Sequence, residues 1–174
     1  MIHPFNNKWP VLLDEVFVAD GAEVIGDVQI GKGSSIWFNS VVRGDVHYIR
    51  IGERTNIQDQ SVIHVTSGTH PTMVGDEVTV GHRVILHGCR VQRRALIGMG
   101  AIVLDEAVIG EESFIGAGSL VTPGTVIPPR VLALGSPCRV KRDLTAQEIQ
   151  NLELSALHYY ELAQAYLKGG ETGK

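Results

Sequence analysis

Aliphatic residues recur at every sixth position through most of this chain, and few folds tolerate that beat. Val18, Val24, Ile30, Ile36 and Val42 open the series. Three extra residues, "YIR", precede Ile51, Ile57 and Ile63, and the longer break "SGTHPTM" precedes Val74, Val80 and Leu86. A repeat one residue short leads into Val91, Ile97, Val103, Ile109, Ile115, Val121, Ile127 and Ala133. Many units begin with an aliphatic residue followed by Gly, and the fifth place is often small, as at Ser34, Ser61, Ala101 and Ser119. Hexapeptides of this kind are the signature of a parallel β-helix. Each unit supplies a short strand and a corner, and coils stack at the roughly 4.8 Å spacing of paired strands. The first residue points inward, while Gly and small residues let the chain round its corners. Hexapeptide helices coil left-handedly, an exception to the usual handedness of parallel crossovers. A β-sandwich with Gly-rich turns is the alternative, but sandwich strands rarely keep so regular a count.

The predicted fold class is therefore all-β: a left-handed parallel β-helix over residues 1–142, followed by a C-terminal helix and tail over 143–174. In that last stretch the beat disappears. Thr145 and Glu148 form a capping-box pattern. Ile149, Leu152, Ala156, Tyr160, Ala163 and Leu167 then recur at helical spacing, with Gly169 and Gly170 as a stop. A helix over 146–168 should lie along the prism and bury that face, with "ETGK" as a loose tail.

Composition excludes several function classes. The net charge of −4 comes without any stripe of Lys and Arg, which argues against nucleic acid as a partner. No apolar run approaches the roughly 20 residues of a membrane span. The N-terminus lacks the charged start and apolar stretch of a signal peptide, so the expected location is cytoplasmic. Cys89 and Cys138 are too sparse for a disulfide framework.

The repeat converts sequence positions into spatial ones. Arg43, His64 and His87 are each the second residue of a unit, in repeats three apart. They should form one column, with His64 beside His87 at strand spacing. Two imidazoles so placed can share a metal ion at bonds of about 2.0 Å. His82 is the third residue of its unit, around a corner, and Gln58 opens from that neighbouring face one coil earlier. If copies pack edge to edge, His82 of one chain can meet His64 and His87 of the next, and closed rotational symmetry makes a homotrimer with shared sites. Zn²⁺ suits three histidines with an open position, and Fe²⁺ or Co²⁺ would also be held.

"RGD" at 43–45, "NIQDQSVIH" at 56–64 and "GHRVILHGC" at 81–89 resemble the gamma-class carbonic anhydrase family over nearly the whole chain. The resemblance implies a trimeric left-handed β-helix whose metal, at the subunit interface, is held by His64, His82 and His87. It implies that Gln58 and its polar neighbour Asn56 orient the small substrate, CO2 or bicarbonate. Arg43 and Asp45 correspond to an ion pair spanning the interface, joined by Asp59. Tyr159 looks like the family tyrosine that overhangs the site, with Tyr160 able to serve if the helix register shifts. Bound in such a site, Zn²⁺ lowers the pKa of a bound water to about 7. The chain departs from the archetype where a glutamate would follow "RGD", since Val46 stands there, and the loop "TSGTHPTM" carries no acid. Only His47 or His70 remains to carry protons away, which predicts slow turnover. A metal-dependent hydrolase or thioesterase-like enzyme, or a non-catalytic binding and assembly protein, are the alternatives on the same trimer.

Overall fold

The computed structural model describes residues 1–170, so the expected tail lies outside the described residues. Short parallel strands stack in three columns around the aliphatic first residues of the repeats. Ile30, Ile36, Ile57, Ile63, Leu86 and Ile97 are completely buried. Each such side chain contributes roughly 1.5–3 kcal/mol, renewed coil after coil.

In the first column Val62–His64 lies between the start of Val41–Ile51 and Ile85–His87, with Ile102–Val103 and Leu120–Val121 following. The third column runs from Phe17–Val18 through Asn56–Ile57 and Thr79–Val80 to Val131–Leu134. The insertion "YIR" falls within the 11-residue strand Val41–Ile51, which passes from the first column into the second. The strand below it, Glu23–Ile30, follows the same path with a register shift between Gly26 and Val28.

Two additions fall outside the six-residue beat. Ile2–His3 and Val11–Leu12 pair with Val24–Ile25 and Gln29–Ile30, which adds strand before the count begins. At the other end Arg139–Asp143 returns antiparallel onto Val131–Leu134 and covers an edge that would otherwise be free to pair with another chain.

The helix spans Ala146–Gly170, so it takes in both glycines expected to stop it. Its cap is the expected one: the Thr145 N–H donates to Glu148 Oε2 at 2.9 Å, and the Glu148 N–H donates to Thr145 Oγ1 at 3.2 Å. Leu152, Ala156 and Ala163 are buried against the third column. Trp37, 5.2 Å from the Phe17 ring and 5.4 Å from the Tyr159 ring, anchors the contact. Tyr160 packs half-buried at the edge of the inward face. It lies over Gly33, where a Cβ would meet its ring at 2.8 Å, and its hydroxyl donates to Glu15 Oε2 at 3.1 Å. Among the described residues no helix is long and apolar enough to cross a membrane.

The corner between the second and third columns carries a ladder of charge. Arg54, Glu77, Arg94, Glu112 and Arg130 all adopt left-handed backbone, with φ of 48°, 56°, 54°, 54° and 59°. Glu77 accepts from Arg93 and Arg94 at 2.8 Å each and also pairs with Arg54. Glu112 accepts from Arg94 at 3.1 Å and Arg130 at 2.7 Å. The two carboxylates are 9% and 5% exposed, a burial that charged groups tolerate only when paired.

Candidate metal centre

The register sets His64 directly opposite His87 on adjacent coils. Their ring centroids are 5.1 Å apart, and His64 Nδ1 lies 3.2 Å from His87 Nε2. Each ring turns its other nitrogen to a carboxylate: His64 Nε2 is 3.1 Å from Asp45 Oδ1, and His87 Nδ1 is 2.7 Å from Asp105 Oδ1. An ionised carboxylate only accepts, so the N–H of each neutral ring belongs on that side. The two facing nitrogens are then both lone pairs, and at 3.2 Å they repel unless a proton or cation lies between them. Ligands bonded at 2.0–2.1 Å in a tetrahedral site sit about 3.3 Å apart, so the pair suits such an ion.

His82 is not brought to this pair. It sits around the corner, with Nδ1 2.9 Å from Asp59 Oδ2. Asp59 and His82 each precede a left-handed corner residue, Gln60 at φ 61° and Arg83 at φ 59°, so stacked corners place one beneath the other. The His82 side chain is 42% exposed against 18% for His64 and 31% for His87, which leaves it the most open of the three rings. Among the described residues, one chain assembles no group of three or more His, Cys, Asp and Glu able to hold a metal ion.

Within the single chain, Arg43 bonds to Oδ2 of its own Asp45. Residues two apart on a strand point to the same face, which brings the guanidinium onto the carboxylate. Burial pushes the Asp45 carboxyl up, but the bond from His64 and the Arg43 guanidinium outweigh it and hold it below the usual range. Asp59 bonds His82 within the chain.

Asn56 and Gln58 are almost fully buried. Gln58 Nε2 donates to Asn56 Oδ1 at 3.0 Å, and Asn56 Nδ2 donates to Thr79 Oγ1 at 3.1 Å. This chain of bonds fixes both amides. Gln58 and His82 open onto a groove of about 370 Å³ whose walls include Leu96, Phe114, Met99 and Tyr159. Tyr159, not Tyr160, therefore faces the site; burial, then the charge of Asp59, raises its phenol pKa. His70 Nδ1 is 3.7 Å from Glu106, and His47 Nδ1 accepts the Tyr48 N–H at 2.9 Å. Cys89 is buried, and burial is the main cause that pushes its thiol up to about 12.

Sequence reasoning missed Asp105 and Thr66. Asp105 approaches His87 from the next coil, and its other oxygen accepts from Thr66 Oγ1 at 2.7 Å. Two signals were available: Gly88 and Asp105 are each the third residue of a unit, and the units opening at Leu86 and Val103 are paired rungs.

No family model matches the chain. It is 52% identical over 166 residues to a carbonic anhydrase of Geobacillus kaustophilus, covering 95% of this chain and 91% of that one. It is 47% identical over 165 residues to the mitochondrial gamma carbonic anhydrase 1 of Arabidopsis thaliana, covering 92% of this chain and 60% of that longer one. A solved hexapeptide transferase family protein from Anaplasma phagocytophilum matches with a TM-score of 0.92 and 42% identity, over 95% of this chain and 98% of that one. With relatives this similar along almost its full length, the chain belongs to the gamma-class carbonic anhydrase family.

Proposed function

We propose that this protein catalyses the reversible hydration of CO2 to bicarbonate at metal sites shared between the subunits of a homotrimer. It is a carbonic anhydrase-like lyase by its relatives. The observation that carries the metal reading is the contact of His64 Nδ1 and His87 Nε2 at 3.2 Å, with both outer nitrogens held by carboxylates. Those two nitrogens and His82 of a neighbouring chain would hold the ion, and Zn²⁺ fits the all-imidazole donor set. Bound there, zinc supplies a Lewis acid that makes water nucleophilic near neutral pH.

The chain's own residues do the rest. Gln58, with one N–H committed to Asn56, keeps its amide oxygen to accept an O–H from water or, in reverse, from bicarbonate. The buried amide pair is held by Thr79, which in turn donates to Ser155 Oγ at 3.2 Å, so the helix braces the substrate side of the site. Tyr159 lines the groove, and its hydroxyl stays protonated at neutral pH, available to donate to a substrate oxygen. The apolar wall of Leu96, Phe114 and Met99 favours one second reading, a metal-dependent hydrolase of small acyl esters or thioesters in the same groove.

Stopped-flow CO2 hydration, measured beside zinc content on the freshly purified protein, tests the proposal. Zinc with hydration is the expected result. Zinc without hydration moves the assignment to the hydrolase, and protein that binds no zinc overturns both.

A further inference from the structure

We infer that Asp105 is a positioning residue for the metal site, acting through His87, and that Thr66 and the missing side chain at Gly88 exist to hold it there. Its carboxylate is pinned at both ends: Oδ1 takes the His87 Nδ1–H at 2.7 Å and Oδ2 takes the Thr66 hydroxyl at 2.7 Å. Thr66 lies 39 positions away and reaches Asp105 because the acid-free loop closes on itself, its backbone N–H donating to the His70 carbonyl at 3.0 Å. The backbone around Asp105 is fixed as well, with the Glu106 N–H on the Gly88 carbonyl and the Gly124 N–H on the Asp105 carbonyl, both at 2.9 Å.

Gly88 is the most telling part. It has φ of 57°, and a Cβ there would lie 2.3 Å from Asp105 Oδ1 and 2.8 Å from His70 Cβ. Any other residue would push the carboxylate away from the imidazole. Asp105 and Gly88 occupy equivalent places on stacked coils, so the space under the carboxylate is the side chain that Gly88 lacks.

The consequence is tautomeric. Asp105 keeps the proton of neutral His87 on Nδ1 and leaves the Nε2 lone pair directed at His64 Nδ1. Partners of this kind on metal-binding histidines are commonly worth 10–100-fold in metal affinity. The inference rests on the metal-site reading above, so its test includes a readout that needs no metal.

In metal-free protein above the imidazole titration range, ¹⁵N NMR of the histidine rings should show His87 protonated on Nδ1. Asp105→Ala should give a mixture of tautomers. Asp105→Asn, whose amide oxygen still accepts from Nδ1–H, should restore the wild-type tautomer. Zinc competition against a chelator should show about 10–100-fold weaker binding for Asp105→Ala, an intermediate loss for Asp105→Asn, and a smaller loss for Thr66→Val, at unchanged melting temperature. If Asp105→Ala does not fold, the milder Thr66→Val carries the same test. Variants that keep the wild-type His87 tautomer and bind zinc within threefold of wild type would overturn the inference. Wild-type protein that binds no zinc would overturn the metal reading instead, while the tautomer contrast would still decide what Asp105 does.

Discussion

Replacing Glu77 with Gln removes one negative charge from the corner ladder and almost no volume. The carboxylate has three guanidinium partners of unequal weight. Arg94 is 20% exposed and bonds at 2.8 Å, so its charged hydrogen bond is worth about 1.5–3 kcal/mol. Arg93 and Arg54 are 44% and 54% exposed, and water screening holds each to about 1 kcal/mol or less. Glutamine keeps an acceptor for one of them, which leaves a net loss of about 2–3 kcal/mol. For a chain of this length each kcal/mol moves the melting temperature by about 2–4 °C, so Glu77→Gln should melt about 5–10 °C lower at pH 7. The pH dependence has a definite sign. Burial alone would raise the Glu77 carboxyl, but the Arg94 bond and the charges of Arg93 and Arg54 outweigh it and hold it below its ordinary 4.5. A depressed folded-state value stabilises the fold fully above pH 4.5 and ceases to do so as the pH falls through that value. Circular-dichroism melts of both proteins from pH 7 downward should therefore converge only in strong acid. A gap below 2 °C at pH 7, or one that persists undiminished to pH 2, would refute the reasoning.

Other expectations are simpler to state. His64→Ala and His82→Ala homotrimers should each lack tightly bound zinc, whereas unfolding, mixing and refolding them together should restore one intact site per mixed trimer; metal analysis reads the recovery, and none is possible if all three ligands come from one chain. Tyr159→Phe should lower the CO2 hydration rate severalfold with little change in melting temperature. Tyr160→Phe, which loses only the bond to exposed Glu15, should leave the rate unchanged; equal effects would mean that the helix does not present Tyr159 to the site. Native Cys89 should resist alkylation at pH 8, because burial pushes its thiol up to about 12, and Cys89→Ser should retain zinc.

The parts of the fold that follow the repeat were legible because the period assigns every residue a rung and a face. The pairing of His64 with His87 came from counting alone. Elements outside the count were not visible: the N-terminal strands and the antiparallel Arg139–Asp143 are held by edge pairing, which leaves no six-residue trace. The extension of the helix through Gly169 and Gly170 and the bond of Tyr160 to Glu15 are local outcomes that helical spacing does not control. Within the site, the carboxylates divide the same way. Asp59 and His82 share a repeat position, so their contact is readable from register. Asp105 was overlooked because it stands beside no motif; its partner position is marked by an absence, the side chain of Gly88.

The alternating corner ladder has a consequence for how the coils find one another. A solenoid whose every rung offers an inward Val or Ile gives neighbouring coils nearly interchangeable apolar surfaces, so hydrophobic burial discriminates poorly between the native stack and one displaced by a coil. Arg54, Glu77, Arg94, Glu112 and Arg130 break that degeneracy. Shifting the stack by one coil would set Arg against Arg and bring the two buried carboxylates together without their guanidinium partners, where like charges are costly. The charges thus act as a key that only one vertical alignment turns. That alignment is also the one that carries His64 to His87 and Asp105 to His87, so the accuracy of the site is settled in part on a different edge of the prism.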